Sequence, residues 1–379
     1  MTKKWVPLIC IVALIVGVLI GHFAWSTKAT VERSKTVERS ETITIYHAGS
    51  LAVPFQKMEK EFEKTHPNVD VLLESGGSNK MISQAITHEE AGELPPDIIA
   101  SADYSLIPGR LYEPGYADWY ITFARNGMVL CYRDNAPGSA DIKWSGNPSG
   151  TRTWYDVLRN DNVKYGHSNP EDDPCGYRTL MVVQLAEKYY YDKAANFGLT
   201  PDEKANGLYA ALIGGADDPL HAGRPEYHND REVVSSKSVD LISSLQSGNL
   251  DYAFEYRSVA VEHKVKFIEL ADAINLSKTG VISNSIIKQH YEGKDGFYHE
   301  ASIVLKTKPD KPEYGEPTVY GITIPTHTPN KGIAMEFITL LLSDTGQHIM
   351  TDVCGQPSIS PALCDAPENL PMAIKKGTP

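Results

Sequence analysis

Two apolar runs in this chain each end in glycine and serine just where a helix pattern opens. The first is Ile43-Thr44-Ile45-Tyr46-His47-Ala48-Gly49-Ser50; the second is Val69-Asp70-Val71-Leu72-Leu73-Glu74-Ser75-Gly76-Gly77-Ser78. A strand that turns into a helix at Gly-Ser leaves backbone N–H groups and a hydroxyl at one point, and the helix dipole adds partial positive charge there. Such a point binds anions without a basic side chain. Each serine also reads as a plain helix cap, worth ~1 kcal/mol. Two in one βαβ unit read as an oxyanion cradle, with the Gly49 backbone beside Ser50.

Two further blocks offer polar groups. In Asn169-Pro170-Glu171-Asp172-Asp173-Pro174-Cys175-Gly176-Tyr177-Arg178, Asp173 precedes a proline suited to the first helical position, so it reads as an N-cap. It also reads as a ligand. A carboxylate repels a bound dianion unless the anion's centre is a Lewis acid that takes another hard oxygen. Tungsten(VI) and molybdenum(VI) do this; the sulfur of sulfate does not. The Cys175 backbone N–H sits at the same helix start. In Asp251-Tyr252-Ala253-Phe254-Glu255-Tyr256-Arg257-Ser258, Tyr256 can donate its phenol to an anion or simply pack between lobes. Glu255 and Arg257 alternate with Phe254 and Tyr256, which places them on the other side of a strand.

The elements that position these residues alternate. Strands are expected at Ile43–Tyr46, Val69–Leu73 and Asp97–Ala100, with helices over 52–65 (Phe55, Met58 and Phe62 on one stripe) and 79–89 between them. This βαβαβ order predicts a parallel sheet with ligands at the carboxyl ends of its strands. Extended segments over 118–133 and at Val319–Pro325 flank a middle region with helices near 152–160, 177–191 and 238–247. Helices over 331–342 and near 345–352 close the chain. The expected organisation is two lobes with crossings between them: lobe I from 43–120 and 320–379, lobe II from 121–319, and an irregular excursion over 192–235.

Composition sets the limits. The chain has 379 residues, 41% hydrophobic and 22% charged, with net charge −12. Residues 1–42 carry a net +3, so the remainder carries −15. An acidic body suits neither nucleic acid nor an anionic membrane surface. Between Trp5 and Trp25 there is no charged residue, and Lys3 and Lys4 precede the run. Residues 1–26 therefore read as a signal peptide or an apolar anchor helix with the rest of the chain outside the cell. Residues 27–42 repeat Thr-Val-Glu-Arg-Ser and read as a polar tether. The five cysteines include no C-x-x-C, which argues against zinc, although Cys354 and Cys364 are spaced to pair in an oxidising exterior. Asn275-Leu276-Ser277 matches the glycosylation triplet. Ser50 lacks the G-x-S-x-G context of a hydrolase nucleophile, and His47 lies on its own strand.

Several motifs in order resemble the tungstate/molybdate-binding proteins of archaeal-type ABC importers. They are His47-Ala48-Gly49-Ser50-Leu51, Ser101-Ala102-Asp103-Tyr104-Ser105-Leu106-Ile107-Pro108, Asp173-Pro174-Cys175-Gly176-Tyr177-Arg178, and the block from Asp251 to Ala260. Val319–Pro325 and Leu341-Leu342-Ser343-Asp344-Thr345-Gly346-Gln347 fit as well. The resemblance implies an α/β, two-lobed periplasmic-binding-protein fold of cluster II type. It implies a monomer that catalyses no reaction, needs no cofactor, and delivers its anion to an ABC permease and its ATPase. Ser50 and Ser78 from one lobe, and Asp173, the Cys175 backbone and Tyr256 from the other, would hold the oxyanion, with Asp173 reaching the metal. The family places a glutamate eighteen residues before the tyrosine, where this chain has Ser238. Ser238 then offers a hydrogen bond in place of a second carboxylate, or Glu232 reaches in. A sulfate or phosphate receptor is the alternative that this departure keeps open.

Overall fold

The computed structural model describes residues 41–192, 207–213, 231–279, 296–306, 308–371 and 374. The expected N-terminal apolar helix, the tether up to residue 40 and most of the 192–235 excursion lie outside these residues; Glu41 and Thr42, expected to end the tether, begin the first strand. Among the described residues, no helix is long and apolar enough to cross a membrane.

The first strand, β1 (Glu41–Ala48), leads through Gly49–Leu51 into α1 (Ala52–Thr65). The Phe55, Met58 and Phe62 stripe of α1 is buried. It packs edge-on against Phe337 of a late helix, with ring centroids 5.8 and 5.5 Å away for Phe55 and Phe62. Next come β2 (Val69–Gly76), α2 (Ser78–Glu90) and β3 (Ile98–Ser101). β1 pairs in parallel with both β2 and β3, which is the expected βαβαβ unit.

The extended crossings are β4 (Ile121–Arg125) followed by β5 (Met128–Tyr132), and later β12 (Val319–Thr323). Between them lie α3 (Trp154–Leu158), β6 (Tyr165–Ser168), α4 (Pro174–Glu187), α5 (Leu208–Leu212) and β7 (Glu232–Ser235). The chain continues with α6 (Val239–Gln246), β8 (Tyr252–Tyr256), α7 (Arg257–Glu262), β9 (Lys266–Glu269) and a small pair, β10 (Ser302–Ile303) and β11 (Glu313–Tyr314). After β12 come α8 (Lys331–Leu342), α9 (Asp344–His348) and β13 (Ser358–Cys364).

Two large sheets result, in strand orders β13-β4-β12-β3-β1-β2 and β7-β6-β8-β5-β9. β4 and β12 run antiparallel to each other in the first sheet, while β5 pairs antiparallel with β8 in the second. The chain therefore leaves the first lobe at Asn126-Gly127, after β4, and not between residues 120 and 121. The apolar Ile121–Ala124 run is buried between two neighbours of its own sheet before the crossing begins.

Two local features of the sequence, the cysteine spacing and the glycosylation triplet, are not used in the fold. Cys364 lies in β13 opposite Ile121, Cys354 is buried in the preceding turn, and the two are not bonded to each other. Asn275 of the glycosylation triplet is buried, and its Nδ2 donates to the Leu270 carbonyl at 3.1 Å, so a glycan has no access.

Candidate functional site

The carboxyl ends of six strands meet between the lobes. From the first lobe come Gly49 and Ser50 after β1, Ser78 after β2, and Ala102 and Asp103 after β3. From the second come Asp173 after β6, Ser238 after β7, and Tyr256 at the end of β8. A Cβ placed on Gly77 would lie 2.2 Å from the Asp172 carbonyl oxygen and 3.0 Å from the Asp173 Cβ; one on Gly49 would meet Val239 at 3.3 Å. The lobes thus touch where the candidate residues lie, and the Lys80 N–H donates across to the Asp172 carbonyl at 3.3 Å.

Neither serine caps its helix. The Ser50 hydroxyl lies 2.8 Å from the Tyr320 hydroxyl, and α1 has no side-chain cap. Ser78 is the first residue of α2 rather than its cap, and its Oγ accepts the Ala102 N–H at 3.0 Å. With one lone pair committed, the Ser78 hydroxyl proton is left over for another acceptor. Tyr256 is arranged the same way. Its Oη accepts from Arg178 Nη1 at 2.8 Å, and burial holds the phenol well above its ordinary range, so it remains a donor.

Asp173 takes up its capping role. It caps α4 by accepting the Cys175 N–H on Oδ1 at 3.1 Å, with Pro174 in the first turn. Its Oδ2 accepts the Ser238 N–H at 2.8 Å, so one carboxylate bridges the starts of α4 and α6. Burial raises its pKa, opposed by these two N–H bonds. Each oxygen keeps a second lone-pair direction. The Cys175 amide, in contrast, is directed at Asp173.

Ser238 lies in this cluster, but its hydroxyl donates to Glu255 Oε1 at 3.0 Å. Alternation puts Glu255 on the other side of β8 from Phe254 and Tyr256. Its carboxyl is fully buried, accepts the Tyr256 N–H on Oε1 at 2.7 Å, and leaves Oε2 without a partner. Alternation says which side of β8 a residue takes, not whether that side is exposed, and every residue of β8 is buried. Burial pushes its pKa up to about 8. Arg257 does face outward, on Glu269 at 2.8 Å. Glu232 does not reach in: its Oε1 is 2.9 Å from His167 Nε2, both side chains fully buried. His47 is a core histidine whose Nδ1 lies 2.8 Å from the Ala48 carbonyl, with its pKa lowered to about 4 by burial.

The residue that sequence reasoning missed is Arg178. Its guanidinium is buried, donates to the Ala102 carbonyl at 2.7 Å and to Tyr256, and pairs with Asp103 at 3.2 Å. Tyr177 also hydrogen-bonds to Asp103. An arginine stays charged wherever it is buried, so the cleft holds a fixed positive charge. Its signal was faint: a basic residue on the first turns of a helix that otherwise reads as core.

Residues 43–352 match the family model for bacterial extracellular solute-binding proteins. A solute-binding protein of Methanoculleus marisnigri is 39% identical over 326 residues, covering 84% of this chain and 82% of the relative. A molybdate/tungstate-binding protein of Pyrococcus abyssi is 34% identical over 352 residues, covering 91% and 90%. Among solved structures, the periplasmic molybdate-binding protein of Azotobacter vinelandii superposes with a TM-score of 0.50 at 16% identity, covering 83% of this chain and 98% of that one; at that identity the likeness speaks to the fold.

Proposed function

Because the chain belongs to the bacterial extracellular solute-binding protein family, we propose that it captures tungstate or molybdate outside the cytoplasm, between its two lobes, and hands the anion to an ABC permease and its ATPase. No reaction is catalysed in this reading, and residues 1–26 tether the protein or direct its export. The observation that carries it is Asp173. This buried carboxylate lies between two helix starts, in a cleft that also holds the hydroxyls of Ser50, Ser78 and Tyr256. Such a mixture suits an anion whose outer oxygens take hydrogen bonds and whose centre takes an added oxygen. Arg178 and the helix N-termini offset the charge that Asp173 brings. The similarity to a molybdate/tungstate-binding relative supports the same ligand class.

Sulfate is the second reading. It is favoured by Ser238, whose hydroxyl is spent on Glu255 and supplies no second carboxylate to a metal centre.

Calorimetric titration with tungstate, molybdate, sulfate and phosphate decides between them. Tungstate or molybdate is expected to bind with a Kd below micromolar. Asp173→Asn is expected to weaken tungstate by at least tenfold more than it weakens sulfate, since only the metal uses the carboxylate as a ligand. Equal losses would remove the metal-ligand role and leave Asp173 as a double cap.

A further inference from the structure

The Ser50–Tyr320 hydrogen bond has a direction that its surroundings fix. Asn126, at the crossing between β4 and β5, is buried, and its Oδ1 accepts two backbone N–H groups, from Gly127 at 3.0 Å and Ser258 at 3.3 Å. The amide is therefore pinned with Nδ2 outward, where it donates to Ser258 Oγ at 2.8 Å and to Tyr320 Oη at 3.1 Å. Tyr320 is fully buried, so its own proton needs an acceptor, and Ser50 Oγ at 2.8 Å is the one in reach. Once Ser50 accepts from Tyr320, the Ser50 proton has no acceptor among the described residues and is left for the cleft.

We infer that Asn126 and Tyr320 are positioning residues that commit Ser50 to donate to the bound oxyanion. This inference rests on the oxyanion reading of the cleft. Ser50 then matches Ser78 and Tyr256, whose acceptor sides are filled by the Ala102 N–H and by Arg178. Three hydroxyls, each polarised by a donor behind it, point protons at one anion. A bare tetraoxoanion accepts all three. A protonated oxyanion loses one of these hydrogen bonds unless its own O–H turns to the Asp173 carboxylate, whose oxygens each keep a lone pair. The hinge thereby takes part in ligand choice, because Asn126 is held by Ser258 of the other lobe.

The test is a double-mutant cycle on affinity for the oxyanion that the wild type binds best. Tyr320→Phe is expected to weaken binding roughly tenfold, the scale of one impaired charge-assisted hydrogen bond. In a Ser50→Ala background the same change is expected to cost less than twofold. Asn126→Asp replaces the donating amide by an acceptor and reverses the relay. It is expected to weaken binding at least as much as Tyr320→Phe, again only while Ser50 is present. A Tyr320→Phe loss that persists undiminished without Ser50 would overturn the relay and make Tyr320 itself a ligand donor or a purely structural residue. A wild type that binds none of the four oxyanions would overturn the relay together with the function it rests on; binding by the wild type with an additive cycle would overturn the relay alone.

Discussion

Glu255 is the side chain whose environment departs furthest from its expected one. An unfolded glutamate loses its proton near 4.5; burial holds this one until about 8. Between those values the folded state binds the extra proton, so stability falls as pH rises from about 5 to about 8 and then levels off. Glu255→Gln keeps the shape and removes the titration. The melting temperature of the variant relative to wild type is therefore expected to rise across that interval and stay flat below it. Glu262 is held up to about 9 by burial first and by the charge of Glu255 second, so it titrates lower in the variant and extends the relative gain toward pH 9, where the difference levels off. Parallel melting profiles from pH 5 to 8 would show that Glu255 is ionised in the fold. At this scale the sequence was informative about which residues meet and less so about what each atom does. Ser50, Ser78, Asp173, Cys175, Ser238 and Tyr256 do gather, because each lies at the carboxyl end of a strand or in the turn or helix start that follows one. The partners that orient them, Ala102, Arg178, Glu255 and Tyr320, come from other strands or the next helix turn, and no local spacing reveals such contacts.

The elements were legible where one period dominates. The 52–65 stripe is the helix Ala52–Thr65, and the 331–342 stripe is the helix Lys331–Leu342, because each buries one apolar face, the two meeting at Phe55, Phe62 and Phe337. The crossing was less legible. Ile121–Arg125 is buried like any core strand, and only pairing with β12 and β13 assigns it to the first lobe. Where the β2–α2 turn meets the β6–α4 turn, the fit is close enough to test. Gly77 has an ordinary extended backbone, φ −62° and ψ 137°, so alanine costs nothing locally. Its Cβ would nonetheless lie 2.2 Å from the Asp172 carbonyl oxygen across the cleft, closer than any unstrained contact. Gly77→Ala is expected to leave the melting temperature of the unliganded protein within about 3 °C of wild type, if the lobes can stand apart. Oxyanion affinity is expected to fall more than tenfold, because the closed arrangement is propped open. Unchanged affinity would mean that the lobes do not need this approach to hold the anion.

At the scale of the whole molecule, charged and polar groups of the two lobes meet across the cleft. Asp103 of the first lobe faces Tyr177 and Arg178 of the second, and these groups can only meet when the lobes are together. Water would solvate them in a parted form, so losing the Asp103 bonds to Tyr177 and Arg178 costs the closed form alone, while losing the Ser105 N–H and hydroxyl bonds to Asp103 Oδ1, at 2.9 and 2.8 Å, costs both forms alike. A ligand that needs the closed form binds with an apparent Kd equal to its intrinsic value divided by the closed fraction. Each loss of about 1.4 kcal/mol in closure then weakens binding about tenfold, whatever the anion. Asp103→Ala is accordingly expected to weaken tungstate, molybdate and sulfate by one common factor of ten or more, in contrast to the selective loss expected from Asp173→Asn. Small-angle scattering should show a larger radius of gyration for the unliganded variant than for unliganded wild type, with the two converging at saturating ligand. A loss confined to tungstate would place Asp103 against the anion itself. An unchanged radius with unchanged affinity would show that helix starts and hydroxyls hold the lobes together without the Asp103–Arg178 pair.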